Sequence, residues 1–257
     1  RRKSSVMDHV IYTAMGGARH SMENQAVVAN NLANASTPGF KAQLSAMRAV
    51  PINGETLPTR TLTVASTPGS DQRQGTMNYT GRPMDIALSD NGYLAVQLED
   101  GTQAYTRNGN IERNADGMLM VQGRLLMGDN GAIEVPPQAE ISIANNGIVT
   151  AHVPTDPPKM LGQIGRLKMV KPEQNDLVRG DDGLFHLSPQ GTARVGETLP
   201  ADDNVKVLAG VLEGSNVNPA EAMVDMIANA RRFEMQMKVI HSADDNAQRA
   251  NQLLSMS

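Results

Sequence analysis

Apolar residues recur every three or four positions at both ends of the chain, while short apolar runs between glycine turns fill its middle, so the pattern divides the sequence in three. From Asp8 to Ala35 no proline intervenes, and Ile11, Met15, Ala18, Met22, Gln25, Ala29 and Leu32 keep a 3–4 spacing. That spacing predicts one helix, roughly 40 Å long at about 1.5 Å per residue. Gly16 and Gly17 interrupt it at about 1 kcal/mol each. They mark either a weak point in the helix or a place where another helix comes close.

A second helix is announced by "GSNVNPAEAMVDM", in which Asn218 fits the N-cap, Pro219 the first helical position and Glu221 the third. From there Met223, Met226, Ala230, Phe233, Met237, Ile240, Asp244, Ala247, Asn251 and Leu254 form an unbroken heptad seam, roughly 50 Å long. Asp244 and Asn251 take seam positions, where a buried polar residue lowers stability but fixes register. Val224, Ala228, Met235 and Val239 make a second apolar row, so this helix expects apolar neighbours on two sides.

Between the helices, Pro, Gly, Ser and Thr punctuate an extended connector, in which "ASTPG" occurs at Ala35 to Gly39 and again at Ala65 to Gly69; each copy suits a type II turn. From Asp85 to about Val207, Asn-Gly or Asp-Gly pairs at 91–92, 100–101, 108–109, 116–117, 130–131, 146–147 and 182–183 predict type I′ hairpins. The expected fold class is α+β: long N- and C-terminal helices pairing as a coiled-coil-like module, enclosing an extended connector and an all-β, antiparallel, hairpin-rich domain. The expected divisions are 1–6 (an extension outside the fold), 7–36 (N-terminal assembly helix), 37–84 (connector), 85–208 (β domain) and 209–257 (connector and C-terminal assembly helix). Pattern alone leaves barrel and sandwich open.

Composition narrows the function. Net charge is −4 with dispersed basic residues, which argues against nucleic acid. Aromatics make up 3% against 16 Met, so thioethers do much of the packing, and no aromatic platform for sugars is expected. With no cysteine, neither a disulfide framework nor a thiolate metal site is available. No apolar run reaches the roughly 20 residues of a membrane span, and "RRKSSV" before Met7 lacks the apolar core of a cleaved secretory signal. If exported, the chain is expected to use another route.

Candidate chemistry is sparse. His9, His20, His152, His186 and His241 show no metal-ligand spacing, and no phosphate loop, dinucleotide motif or nucleophile elbow occurs. Asp181-Asp182 and Asp244-Asp245 are the candidate acid/base pairs, but adjacent side chains on a strand or helix diverge. No catalytic, cofactor or metal residue is expected.

"ANNLANASTPGFK" at Ala29 to Lys41, with "GVLEGSNVNPAEAMVDMIANARRFEMQMKVI" at Gly210 to Ile240, resembles the paired terminal signatures of bacterial flagellar rod and hook proteins. "DIALSDNGYLAVQLEDGTQAYTRNGNI" is similar to the β domain of rod subunits in that family, and "MDHVIYTAMGGA", "RAVPI" and "ANQLLSMS" are most similar to a proximal-rod member. The resemblance implies a structural subunit of a drive shaft crossing the periplasm, exported by the flagellar type III pathway and polymerising through its terminal helices. Implied partners are copies of itself, neighbouring proximal-rod subunits, the distal-rod protein and an adaptor on the membrane-ring side. No cofactor, nucleic acid, membrane insertion or small-molecule substrate is implied. A distal-rod or hook paralogue is the alternative within the family, and a secreted polysaccharide-active or sugar-binding module the alternative outside it.

The expected assembly residues are the two seams with Asn30, Asn31, Asn34 and Phe40. The asparagines are expected to bind carbonyls at the helix end or on a neighbouring subunit, with Asn34 ending the helix in a left-handed conformation. Phe40→Ala is expected to impair assembly more than β-domain stability.

Overall fold

The computed structural model describes residues 2–51, 61–152 and 162–255. Three helices are present among them: α1 (Arg2–Ala33), α2 (Pro189–Val195) and α3 (Pro219–Ser255). The strands in chain order are β1 (Gln43–Pro51), β2 (Thr61–Ser70), β3 (Met77–Tyr79), β4 (Ile86–Leu88), β5 (Tyr93–Gln97), β6 (Gln103–Thr106), β7 (Ile111–Arg113), β8 (Leu119–Val121) and β9 (Arg124–Gly128). They continue as β10 (Gly131–Ala132), β11 (Glu140–Ile143), β12 (Ile148–His152), β13 (Gly162–Arg166), β14 (Met169–Val170), β15 (Leu177–Arg179), β16 (Phe185–Leu187), β17 (Val207–Ala209) and β18 (Val211–Glu213). The chain divides into two compact units. Unit 1 contains α1, α3 and most of the β1–β2 ribbon; unit 2 contains Ser36–Ala42 with Ser70–Asn216.

In unit 1 the two long helices pack against each other. The helix α1 starts at Arg2, inside the stretch read as an extension, and α3 starts at Pro219 as its cap signals require. Asn218 Oδ1 accepts from Ala220 N at 3.1 Å and Glu221 N at 3.4 Å, satisfying donors that the first helical turn leaves free. No helix among the described residues is long and apolar enough to cross a membrane.

Unit 2 is built on antiparallel strands in the order β15-β16-β6-β5-β9-β8-β7, with β10 on β9 and β14 on β5. A β11-β12-β13 sheet and the pairs β17-β4 and β18-β3 complete it, so one nine-stranded sheet is accompanied by three smaller ones. In β5 the alternation of side chains decides the layering. Leu94 and Val96 join one buried cluster with Ile86, Leu119 and Leu126, whereas Tyr93 and Ala95 join a second with Tyr105, Phe185 and Leu199. The central strand is thus covered on both faces.

Four readings change. The middle domain is not all β, because α2 starts behind Ser188, whose Oγ accepts from Gly191 N at 2.9 Å, with Pro189 at its first turn. The stretch 37–84 holds β1, β2 and β3, and the second "ASTPG" lies inside β2, while Gly39 of the first has the φ of +69° that its turn needs. The hairpins at Gly101, Gly117, Gly147 and Gly183 put only the glycine at positive φ; an Asp or Asn side chain braces each turn, as where Asp100 Oδ1 accepts from Thr102 N at 2.9 Å. Both central residues take positive φ instead at Gln122-Gly123, φ 51° and 74°, in the two-residue β8–β9 hairpin. Gly109 is needed for close approach, since a Cβ there would lie 1.6 Å from the Ile86 carbonyl oxygen.

Candidate assembly site

The helix pair of unit 1 buries one stripe of each helix. On α1, Ala14, Ala18 and Ser21 are buried and Gln25, Val28 and Leu32 half-buried; on α3, Ala222, Asn229 and Ala243 are buried and Met226, Phe233, Gln236 and Ile240 half-buried. Both stripes keep heptad spacing, but each alternates differently from the sequence reading. Ala18, Gln25, Leu32, Met226, Phe233 and Ile240 belong to both versions, whereas the intervening positions move back by one residue. Ala14, Ser21, Ala222 and Ala243 are small residues among those positions and let the helices approach. A Cβ on Gly17 would lie 2.4 Å from Gln236 Nε2, while Gly16 meets nothing within 4 Å, so one glycine is a contact and the other an open position.

Many of the large apolar residues left outside this stripe are exposed. Met22 is 61% exposed and Val224 65%, and Met15, Met223, Ile227, Met235 and Val239 are likewise open, while Asn229 is only 6% exposed. The inner stripe therefore spends positions on Asn229 and Gln236 while Met and Val face outward, the reverse of a helix wet on its outer side. The carboxamide oxygens of Gln25 and Gln236 are buried without a hydrogen-bond partner, which weakens the inner contact further. Ala29, Ala230 and Asp244 are exposed and Ala228 and Met237 half-buried; Asp244 Oδ2 accepts from Gln248 Nε2 at 3.1 Å. The side chains of Ile11, Ala247, Asn251 and Leu254 lie outside those described.

The asparagines finish α1. Asn34 Nδ2 donates to the Asn30 carbonyl at 2.9 Å, and Asn34 does not take positive φ, so its side chain caps the helix. Asn31 donates to Gln43 O at 2.9 Å and accepts from Gln43 N at 2.8 Å, which ties α1 to β1 by two bonds. Asn30 is exposed.

In unit 2, residues 39–42, 71–75 and 213–216 run together near the points where the chain leaves the unit. Gly39 N donates to Glu213 O at 2.7 Å, Asp71 N to Ala42 O at 2.8 Å and Asn216 N to Phe40 O at 3.2 Å. Asn216 Oδ1 accepts from Ala42 N at 2.7 Å, and its Nδ2 donates to the Asp71 and Arg73 carbonyls, both at 2.9 Å. Phe40 is buried here, with the Arg179 guanidinium carbon 3.9 Å from its ring centroid. The Tyr93 and Phe185 rings meet edge to face at 5.2 Å behind it.

Beneath this crossing lies a buried charge cluster. Glu213 Oε1 accepts from Lys41 Nζ at 2.6 Å and Gly75 N at 3.0 Å; Oε2 accepts from Arg107 Nη2 at 2.6 Å and Nε at 2.9 Å. Lys41 Nζ also donates to Arg73 O at 2.7 Å, and Arg107 Nη1 to Asp90 O at 2.7 Å and Gly92 O at 2.8 Å. Burial pushes the Glu213 carboxyl up, but the Arg107 charge and the Lys41 hydrogen bond outweigh it and hold the group below the usual carboxylate range. Burial pulls Lys41 below the usual lysine range against the Glu213 contact. The sequence reading overlooked all three residues. Strand alternation carried the signal for one of them, since Glu213 shares the inward face of β18 with Val211, and a carboxylate there needs buried partners.

The acid pairs look like turn and surface chemistry. Asp182 sits in the β15–β16 hairpin, accepting from Leu184 N at 3.1 Å and contacting His186 Nε2 at 3.0 Å. Among the described residues no group of His, Cys, Asp and Glu is placed to hold a metal ion.

Three family models match this chain. Residues 11–41 match "Flagella basal body rod protein", residues 87–151 "Flagellar hook protein FlgE/F/G D1 domain", and residues 208–253 "Flagellar basal body rod FlgEFG protein C-terminal". The flagellar basal-body rod protein FlgF of Salmonella typhimurium is 57% identical over 251 residues, covering 98% of this chain and 100% of the relative. FlgF of Escherichia coli K12 is 58% identical with the same coverage. The rod protein FlgG of Buchnera aphidicola subsp. Acyrthosiphon pisum is 31% identical over 90% of this chain and 94% of that protein. Since the FlgF relatives are matched over their whole length, the chain belongs to the FlgF family of flagellar basal-body rod proteins.

Proposed function

We propose that this protein is a structural, non-enzymatic subunit of the flagellar rod, placed in its proximal part, and that α1 and α3 polymerise with the helices of neighbouring subunits. The observation that carries this reading is the inverted helix pair: Met15, Met22, Met223, Val224, Ile227, Met235 and Val239 face outward while Asn229 is buried. Such a surface is costly in water and is stabilised when a neighbour covers it, at about 25 cal/mol per Å² of apolar area. Met side chains adapt to non-identical neighbours, which suits contact with copies of this chain, other proximal-rod subunits, the distal-rod protein and an adaptor at the membrane ring. Contacts that run head to tail without closing build a helical tube.

In this reading the helices pair as a coiled-coil-like module, the assembled rod crosses the periplasm and passes torque towards the hook, and the chain travels by the flagellar type III route. The test is a double substitution on the outward face, Val224→Asp with Met235→Asp. Unit 2 keeps its fold and its unfolding midpoint, while incorporation into isolated basal bodies and motility are lost. Normal incorporation of the doubly charged chain would refute the reading.

A further inference from the structure

The buried charge cluster draws one residue from each of three distant stretches. Lys41 comes from the segment after α1, Arg107 from the turn after β6 and Glu213 from the end of β18; each is at most 2% exposed. They fall one each in the three stretches matched by the family models, 11–41, 87–151 and 208–253. Two cations share one carboxylate, and Glu213 spends both oxygens on them. Without Glu213 the pocket holds two like charges sealed from water, an arrangement far more costly than the one in which a shared carboxylate lies between them.

The backbone bonds around the cluster show the same dependence. Gly39 and Gly75 both donate to Glu213, the first to its carbonyl and the second to its carboxylate. Asn216, three residues on, holds Ala42, Asp71 and Arg73. Until 213–216 is in place, Lys41 therefore lacks its counter-charge, and the segments 39–42 and 71–75 lack several of their hydrogen-bond partners.

We propose that Glu213 is the closing residue of unit 2: the β unit reaches its native fold only when the stretch leading into α3 docks and supplies the carboxylate shared by Lys41 and Arg107. A chain that emerges N-terminus first thus keeps this unit open until its last quarter arrives. Closure of the β unit is then a check that the chain is complete as far as Asn216.

The test uses the full-length chain and amide hydrogen exchange at 39–42 and 71–75. Glu213→Gln keeps the shape but leaves Lys41 and Arg107 unopposed, and exchange there quickens roughly a hundredfold or more. Lys41→Met added to Glu213→Gln returns the pocket to the native excess of one positive charge, and protection recovers to within about tenfold of the parent. If Glu213→Gln does not fold at all, the double variant still does. Unchanged protection in Glu213→Gln, or a double variant worse than the single, overturns the proposal, because a purely space-filling or hydrogen-bonding glutamate would be harmed further by losing Lys41.

Discussion

Arg179 holds its guanidinium carbon 3.9 Å from the Phe40 ring centroid and donates from Nη1 to the Lys41 carbonyl at 2.8 Å, so one side chain pins two consecutive residues. Phe40 is thereby part of the interior of unit 2. Phe40→Ala is predicted to lower the stability of that unit by about 3–5 kcal/mol, and Arg179→Ala by about 1–2 kcal/mol. Denaturant unfolding followed by tyrosine fluorescence reads both, since the chain has no tryptophan. A loss below about 1 kcal/mol for Phe40→Ala would show that the ring is not held as described.

The adjacent glycines of α1 are predicted to part company. Gly16→Ala meets open space and gains helix propensity of about 1 kcal/mol. Gly17→Ala must displace the Gln236 carboxamide, so its gain is smaller or reversed. Thermal melts monitored by helical circular dichroism should rank Gly16→Ala above the parent and above Gly17→Ala. The opposite order would mean that α3 approaches the other glycine.

Helix existence, the α3 cap and the β-rich middle were legible because each has a local cause: 3–4 spacing, Asn218 before Pro219, and glycine at turn positions. The exact stripe was not. Ala14, Ser21, Ala222 and Asn229 are poor hydrophobic signals, and a search for the most apolar seam selects Met15, Met22 and Met223, which lie outside the contact. The helix α2 escaped because seven residues carry little periodicity, although Ser188-Pro189 marked its start. The buried cluster is non-local: 172 positions separate Lys41 from Glu213, and only the fold brings them together.

Acid should loosen unit 2. Because the folded-state pKa of Glu213 lies below its unfolded value of roughly 4.3, the stabilisation it gives is complete above that value and is lost as pH falls through the folded one. Asp176, held down first by its Arg194 hydrogen bond, and Asp71, held down first by Arg73, act in the same direction. Unfolding midpoints measured from pH 7 to pH 3 should fall for the parent. Glu213→Gln should start lower at neutral pH, and the gap should narrow in acid. A constant gap would mean that the carboxylate charge is irrelevant to the fold.

In the assembled rod, neighbours are predicted to cover the outward faces of α1 and α3. The chain has no cysteine, so a single thiol introduced by Val224→Cys or Met235→Cys reports on one place. Maleimide labelling of each variant, as isolated chain and within purified basal bodies, measures coverage directly. Rapid labelling of the isolated chain with protection in the basal body is the predicted result; equal labelling in both would show that these faces stay uncovered in the rod.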